Sequence, residues 1–324
     1  MAQLNAPDEP VAIDENVLIN SSRNTDTTSL ATFITNYRVE NGRRYHAFDT
    51  LQYYQPNDEI AQEHLDICHA LCLKTFDNKS HLAPLSPHIH MALDIGTGTG
   101  IWAIDFADEF PAAQVIGTDL SPIQPSWVPP NCKFVIDDAE GEWDYPENSV
   151  DYIHIRSLFG SIKDWPRFYT QCLRVLKPGG YIEQLEFSPG FTSEDGTVTP
   201  ETPMGEWGSW GLKVFAIIER EVLVYQKMAG WMRDAGFEDV VERPVKWPIG
   251  PWPKDKKLKE LGLWCRAHID IGLENWSLRG FTGILGWTVE EVTVHCAKMR
   301  RDLRDKKLHG IHEMAVVYAR KPAP

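Results

Sequence analysis

Apolar runs and polar breaks alternate along most of the chain after residue 86. The apolar run 89–95 ends in a glycine-rich turn, and an apolar, helix-forming run follows over 101–110. This order predicts a strand, a turn and a helix. Further strands are predicted at 115–119, 132–136, 150–155, 181–186, 240–247 and 314–319, and helices at 168–176, 212–235 and 255–307. The alternation predicts an α/β, Rossmann-like fold with a mostly parallel sheet of seven strands, the last antiparallel.

The first 86 residues have a different pattern. Residues 1–30 are polar and acidic, so we expect them to be flexible. Asn57-Asp58-Glu59 is typical of a helix start, because carboxylates stabilise the first turn, and this helix is predicted to reach Phe76. We therefore predict that 31–86 is a helical N-terminal extension. It packs on a domain of residues 87–324 that carries helical insertions at 191–235 and 250–310.

The glycine turn is followed by a second signal. Residues 94–100 have the pattern D-x-G-x-G-x-G, and Asp119 ends the next predicted strand, 21 residues beyond Gly98. Glycines allow a sharp turn and a close approach of the backbone to a ligand, and the following helix points free N–H groups there. A carboxylate at the end of the next strand can accept hydrogen bonds from both hydroxyls of a ribose. The two signals together predict a site for a nucleoside-type cofactor.

Two residues narrow the choice of cofactor. Ile101 stands where the dinucleotide pattern requires its third glycine, and Asp94 would repel a pyrophosphate. A ligand that carries an amino group and no phosphate suits this turn better, and S-adenosylmethionine is such a ligand. The stretch 89–121 thus resembles the class I S-adenosylmethionine-dependent methyltransferases.

A finer resemblance, to the LaeA-like methyltransferases of filamentous fungi, covers about 31–190. The stretches that carry it are 37–47, 56–59, 119–125, 128–131, 137–140 and 154–156, and the broader methyltransferase resemblance includes the turn 177–180. The resemblance implies transfer of a methyl group from S-adenosylmethionine, with S-adenosylhomocysteine as product.

The resemblance also implies roles for individual residues. The implied cofactor ligands are Asp94, Gly96, Thr97, Gly98, Gly100, Asp119, Leu120, Asp138, Ala139, His154, Tyr37 and Tyr45. The residues of 94–100 would cradle the methionine end, and Asp119 would bind the ribose. Leu120, Asp138 and Ala139 would contact the adenine, and Tyr37 and Tyr45 would close over the cofactor, although simple packing explains the tyrosines equally well.

His154 and Arg156 end the fourth predicted strand, beside the transferable methyl group in this fold. His154 is the candidate general base for a hydroxyl acceptor, and Arg156 is a second candidate catalytic residue. A structural role for a histidine at a strand end is the alternative.

Composition and net charge argue against some classes of binding partner. The formal net charge of −14 and the pI of about 5.2 argue against direct binding to nucleic acid or to an anionic membrane. The chain contains no apolar run of about 18 residues and no secretion pattern, so we expect a cytoplasmic, or else nuclear, protein. His64, Cys68 and Cys72 share one helical face, where packing is a better explanation than metal binding.

The acceptor is the least defined part of this interpretation. Tryptophans are frequent after residue 190, and they either line an apolar pocket or pack the helices together. They are Trp207, Trp210, Trp247, Trp252, Trp264, Trp276 and Trp287. Three hypotheses stay open: a methyltransferase for a small secondary metabolite, a LaeA-like regulator that acts through a protein partner, and a methyltransferase fold that catalyses a cyclisation or pericyclic step. A homodimer is also compatible with the sequence.

Overall fold

The computed structural model describes residues 37–47 and 53–323. Its strands and helices in chain order are β1 (Arg38–Glu40), β2 (Arg43–Tyr45), α1 (Glu59–Thr75), β3 (Met91–Ile95), α2 (Ile101–Glu109), β4 (Gln114–Asp119), β5 (Cys132–Ile136), β6 (Val150–Arg156), α3 (Trp165–Val175), β7 (Leu176–Thr192), α4 (Pro203–Ile217), α5 (Val224–Ala235), β8 (Glu238–Pro248), α6 (Lys256–Gly283), α7 (Val289–Arg304) and β9 (Ile311–Arg320).

Seven strands form one sheet in the order β5-β4-β3-β6-β7-β9-β8. The neighbours from β5 to β7 are parallel, and β9 is antiparallel to both β7 and β8. The predicted seven-stranded, mostly parallel sheet with an antiparallel last strand is therefore confirmed. The chain leaves β3 toward β4 on one side and later returns to β6 on the other. Such a reversal opens a crevice at the carboxyl ends of the central strands.

Apolar residues cover both faces of the sheet. Trp165 and Tyr169 of α3 pack with α5 against one face, and Trp102 and Phe106 of α2 pack against the other. A third cluster joins the far end of β7 to α4, α6 and α7, and includes Cys265. Burial on both faces explains why the central strands are almost continuously apolar.

Strand β7 is longer than predicted. The turn predicted at 177–180 lies within the strand, because Gly179 and Gly180 exchange backbone hydrogen bonds with Lys321. The register with β6 shifts from the pair Val150–Leu176 to the pair Tyr152–Tyr181. The extra residues form a bulge, and Gly179 supplies the positive φ of 81° inside it.

The helix predicted over 212–235 is wrong in extent, because α4 and α5 are separate helices. Glu219 has a φ of 56° between them, and Arg220 pairs with Glu140 at 3.1 Å. Gly236 ends α5 with a φ of 102°, as its position predicts. The helical region 255–307 is likewise divided into α6 and α7.

The N-terminal extension is only partly helical. Helix α1 begins after Asp58, whose side chain accepts a hydrogen bond from the Ala61 amide, and so agrees with the predicted helix. The segment 38–45, however, is a hairpin whose turn is Asn41-Gly42, a pair that favours the positive φ values of tight hairpins. Residues 1–30 lie outside the described residues, so the prediction of a flexible segment stays a prediction.

The extension is fastened to helix α6. The Arg43 guanidinium donates to the Asp58 carboxylate at 2.6 Å and to the Asn275 amide oxygen at 2.7 Å.

Across residues 37–47 and 53–323, no helix has a segment with both the length and the apolarity that a membrane crossing requires.

Candidate active site

A large cavity lies at the carboxyl ends of the central strands, under α1, α4 and α6. Its volume is about 180 Å³, against about 20 Å³ for a second cavity beside it. By this measure the smaller one has room for about one water molecule. The large cavity has an acidic end and an aromatic end.

The glycine turn forms part of the acidic end. Gly96 and Gly98 line the cavity and have φ values of 70° and 61°. A Cβ at Gly96 would lie 2.5 Å from the Leu158 side chain, and one at Gly98 would lie 3.1 Å from the Leu65 side chain. The absence of a side chain at both positions therefore brings the backbone to the cavity surface. Gly100 lies behind the turn, where a Cβ would meet the Phe134 ring at 2.3 Å.

Asp119 lies at the end of β4, opposite the turn. Its carboxylate accepts hydrogen bonds from the backbone amides of Gly98 at 2.8 Å and Ser121 at 2.9 Å. A carboxylate has about four acceptor positions, so these two amides leave acceptor positions for a ligand. Burial raises the pKa of Asp119 to about 6, although these two amides act in the opposite direction. The next residue, Leu120, also lines the cavity.

More acidic residues follow β5 at the same end. Asp137, Asp138, Ala139 and Glu140 line the cavity, and the Asp138 carboxylate accepts from the Glu140 amide at 2.9 Å. Burial raises the pKa of Asp137. An acidic end of this kind suits a nucleoside that carries no phosphate, because a phosphate would be repelled.

Arg156 is the single Arg or Lys side chain among the described residues that line this cavity. Its guanidinium donates to the Nδ1 atom of His69 at 3.1 Å. No carboxylate within 4.0 Å pairs with it in the part of the chain that the structure describes. The predicted catalytic residue Arg156 is therefore a partly buried cation at the cavity.

Asp94, Thr97 and His154 form a buried group behind the turn. The Asp94 carboxylate accepts hydrogen bonds from the Thr97 hydroxyl at 2.5 Å and from Nδ1 of His154 at 2.7 Å. The His154 ring stacks on Trp102 at 3.7 Å between centroids and lines the smaller cavity. Burial lowers the pKa of His154, although Asp94 acts in the opposite direction. This placement favours the structural alternative for His154, and its role as a base stays a prediction.

The tyrosines at the cavity differ from the predicted pair. Tyr37 and Tyr45 lie outside the cavity wall, where the guanidinium groups of Arg44 and Arg279 cover their rings at 5.1 and 4.8 Å. Tyr53 and Tyr54 line the cavity instead, and burial together with Asp119 raises the pKa of Tyr53. No pattern in the sequence around 53–55 predicts that Tyr53 and Tyr54 lie at the cavity.

Aromatic rings from β7, α4 and α6 form the other end of the cavity. They are Phe187, Phe191, Trp207, Phe215, Trp276 and Phe281. Gly160 makes room for one of them, because a Cβ there would lie 2.3 Å from the Phe215 ring. Of the seven tryptophans noted in the sequence, Trp207 and Trp276 are therefore at the cavity. Trp247 packs in the core and donates to the Thr75 hydroxyl.

Three histidines that sequence analysis did not select as a group also line the aromatic end: His64, His268 and His312. They come from α1, α6 and β9, so no local motif connects them. The structure contains no group of three or more His, Cys, Asp or Glu side chains arranged to hold a metal ion in the described ranges. His64, Cys68 and Cys72 are all buried.

Comparison with known proteins agrees with this geometry. Residues 63–242 match the methyltransferase domain family. The chain is 41% identical over 296 residues to methyltransferase pytC of Aspergillus terreus, covering 91% of each protein. It is 32% identical over 288 residues to the protein-methionine methyltransferase laeA of Emericella nidulans, covering 88% of this chain and 77% of the relative.

Among solved structures, a Haemonchus contortus phosphoethanolamine N-methyltransferase bound to S-adenosylhomocysteine is similar with a TM-score of 0.45 and 21% identity, covering 80% of this chain and 52% of that one. The sheet order, the glycine turn with Asp119 opposite it, and the relatives lead to one assignment. The chain belongs to the LaeA-like family of class I S-adenosylmethionine-dependent methyltransferases.

Proposed function

We propose that this enzyme methylates an oxygen or nitrogen atom of a small, largely apolar molecule. The observation that carries the proposal is the continuity of the two ends in one cavity. The acidic end meets the needs of a ribose and an adenine, and six aromatic side chains surround the space beside it. Apolar and aromatic walls favour an apolar ligand, because its surface is removed from water. The similarity to methyltransferase pytC over 91% of that relative supports methyl transfer as the reaction.

We assign a role to each cofactor contact at the acidic end. The free acceptor positions of Asp119 take the ribose hydroxyls, and Leu120 packs beside the adenine. Asp138 accepts from the adenine amino group, and the Ala139 amide donates to the ring. Gly96 and Gly98 allow the backbone to contact the methionine end. Asp94, Thr97 and Gly100 lie behind the turn and stabilise its conformation.

Arg156 is the positively charged side chain among the described residues that line the cavity. A partly buried guanidinium without a carboxylate partner is costly, and a ligand carboxylate would compensate for it. The methionine end of the cofactor carries one carboxylate. We therefore assign Arg156 to that group rather than to the chemical step.

S-adenosylmethionine supplies a methyl group on a positively charged sulfur, so the leaving group is already activated. The protein then contributes mainly by aligning the acceptor atom with that carbon. Phe215 and Tyr54, in edge contact at 6.2 Å between centroids, close one side of the cavity. Their rings exclude water from the acceptor.

Incubation with methyl-labelled S-adenosylmethionine tests the proposal. The protein is supplied either with a low-molecular-weight extract of the source cells or with their protein fraction, and label transfer and S-adenosylhomocysteine are measured. We expect both products with the small-molecule extract. Label transferred only to protein would favour the regulatory hypothesis, and a changed small molecule without loss of the methyl group would favour a cyclisation or pericyclic step. The Gly98→Val variant serves as the control without cofactor binding.

A further inference from the structure

The three histidines at the aromatic end have ring nitrogens without protein partners. His64, His268 and His312 are only 3%, 3% and 4% exposed. Both ring nitrogens of His64, Nδ1 of His268 and Nδ1 of His312 have no hydrogen bond among the described residues. An unpaired buried polar atom costs about 1–3 kcal/mol. All four atoms belong to residues that line one cavity, so a ligand in that cavity is a candidate partner for them.

The geometry at His312 fixes which nitrogen carries its proton. Nε2 lies 2.9 Å from the Ser188 carbonyl oxygen, which can only accept, so Nε2 is the donor. Burial lowers the pKa of His312 to about 4, so the ring is neutral near pH 7. A neutral ring with hydrogen on Nε2 has a free lone pair on Nδ1. Nδ1 is thus a free hydrogen-bond acceptor on a residue that lines the cavity.

The strand irregularity beside His312 explains why the Ser188 carbonyl is available. From Phe187 to Phe191 the chain advances four residues, while the paired strand advances two, from Met314 to His312. The two additional residues form a bulge in β7, which turns a carbonyl away from the regular ladder. We refer to residues 188–190 as the β7 bulge.

His64 and His268, which line the same cavity, form a stacked pair. Their ring centroids are 4.4 Å apart with an interplanar angle of 12°. Helix α6 accommodates the pair through Gly272, where a Cβ would lie 2.6 Å from Nε2 of His64. Burial lowers the pKa values of both rings, and the positive charges of Arg43 and Arg156 act in the same direction on His64 and His268 respectively. A neutral His64 ring has one unpaired N–H donor and one unpaired acceptor.

We propose that this histidine group binds a hydroxyl of the acceptor, a phenol or an enol, and that Nδ1 of His312 receives the hydroxyl proton. The proposal rests on the proposed function and names its substrate class. A hydroxyl suits the group because it donates to Nδ1 of His312 and can accept from the N–H of His64. An ammonium group would require a carboxylate, and none is among the residues of the aromatic end.

Bonds and charges balance over the proton transfer and the methyl transfer. The O–H bond breaks and its proton moves to Nδ1 of His312, while the electron pair left on oxygen forms the bond to the methyl carbon. The electron pair of the broken C–S bond stays on sulfur, which becomes neutral. Positive charge thus passes from sulfur to the imidazole, so the cavity has the same net charge before and after. The proton leaves to solvent after the product.

Binding of two naphthalenes to the protein loaded with S-adenosylhomocysteine tests the proposal without turnover. 2-Naphthol carries a hydroxyl that 2-methoxynaphthalene lacks, and the two are otherwise alike. We expect wild type to bind 2-naphthol about tenfold more tightly, the equivalent of one hydrogen bond. In His312→Gln, the new amide can still donate toward the Ser188 carbonyl. This variant should bind the two naphthalenes with about equal affinity.

His46 offers a matched control. Its Nε2 also lies near a backbone carbonyl, that of Tyr53 at 3.1 Å, and its Nδ1 is unpaired and buried, but it is not at the cavity. His46→Gln should therefore keep the tenfold preference. Equal affinity of wild type for the two naphthalenes would overturn the proposal.

Nitrogen-15 NMR of wild type gives a second test that needs no variant. We expect the Nδ1 signal of His312 to be that of an unprotonated nitrogen and to shift when 2-naphthol binds. A protonated Nδ1 in the unliganded protein would contradict the proposal. Loss of S-adenosylhomocysteine binding in wild type would instead count against the proposed function.

Discussion

The acidic and aromatic ends of the cavity satisfy their polar groups in different ways. At the acidic end, Asp119 and Asp138 already accept hydrogen bonds from backbone amides. At the aromatic end, ring nitrogens of three histidines have no partner in the described chain. The acidic end is therefore held in its binding geometry by the protein itself. The aromatic end leaves these ring nitrogens without a protein partner, so an acceptor that pairs with them would add hydrogen bonds to this end.

The two ends also differ in how the chain builds them. The acidic end comes from residues 96–140, which follow three neighbouring parallel strands. The aromatic end comes mainly from residues 187–312, on two strands and two helices, with His64 added from α1. Because few residues are shared, substitutions should affect cofactor and acceptor binding separately. The following predictions test that separation.

The largest effect is expected from Gly98→Val. A branched side chain at a φ of 61° is strained, and it would project where the backbone must approach the cofactor. Calorimetry should detect no S-adenosylhomocysteine binding, while 2-naphthol still binds. Gly179→Val is the matched control, because Gly179 has a φ of 81° and open space around it. Loss of cofactor binding in both variants would attribute the effect to strain alone.

Asp119→Ala should weaken S-adenosylhomocysteine binding by roughly 100- to 10,000-fold. The variant removes two charge-assisted hydrogen bonds to the ribose, each worth about 1.5–3 kcal/mol. Asp151→Ala is the control, since Asp151 also accepts from two backbone amides, those of His90 and Met91, but lies away from the cavity. Unchanged affinity in a folded Asp119→Ala protein would refute the ribose assignment.

Acidification should affect only the acidic end. Burial raises the pKa of Asp119 to about 6, so its carboxylate gains a proton as the pH falls below that value. S-adenosylhomocysteine affinity should fall by up to about tenfold between pH 7 and pH 5, because each pH unit below the pKa removes up to tenfold of the ionised form. His312, with a pKa of about 4, should keep the preference for 2-naphthol over this range. A pH-independent cofactor affinity measured by calorimetry would contradict this prediction.

The smallest effect is expected from Trp276→Phe. Trp276 lines the aromatic end and contacts the rings of His64 and His268. Its smaller replacement should weaken 2-naphthol binding by about fivefold, the equivalent of about 1 kcal/mol of lost apolar contact. S-adenosylhomocysteine binding should not change. Trp287→Phe, at a tryptophan that packs outside the cavity, should alter neither affinity, and fluorescence titration measures both.

The sequence predicts those parts of the molecule whose structure is determined by residues close together in the chain. The glycine turn, Asp119 and the succession of strands along the chain follow from short segments, and the strand ends of a parallel sheet meet at one edge. The start of α1 at Asp58 and the end of α5 at Gly236 follow from capping chemistry. These are local effects of backbone geometry.

The less predictable parts depend on distant contacts. His154 and Arg156 point to the same face of β6, yet His154 stacks on Trp102 of α2 whereas Arg156 reaches the large cavity. The position of a residue at a strand end does not reveal which helix covers it. The histidine group joins three elements that are far apart in sequence, and its pattern becomes visible only when they are packed together.

The β7 bulge has a consequence for interpreting related sequences. Without the two additional residues between Phe187 and Phe191, β7 and β9 would continue in regular register, and the Ser188 carbonyl would pair with backbone instead of His312. Segment length at this point, together with a histidine opposite it, thus becomes a marker that can be read from an alignment. Relatives that have both features are expected to methylate hydroxyl groups. Relatives with a shorter segment are expected to use other acceptors, even where their cofactor residues are identical.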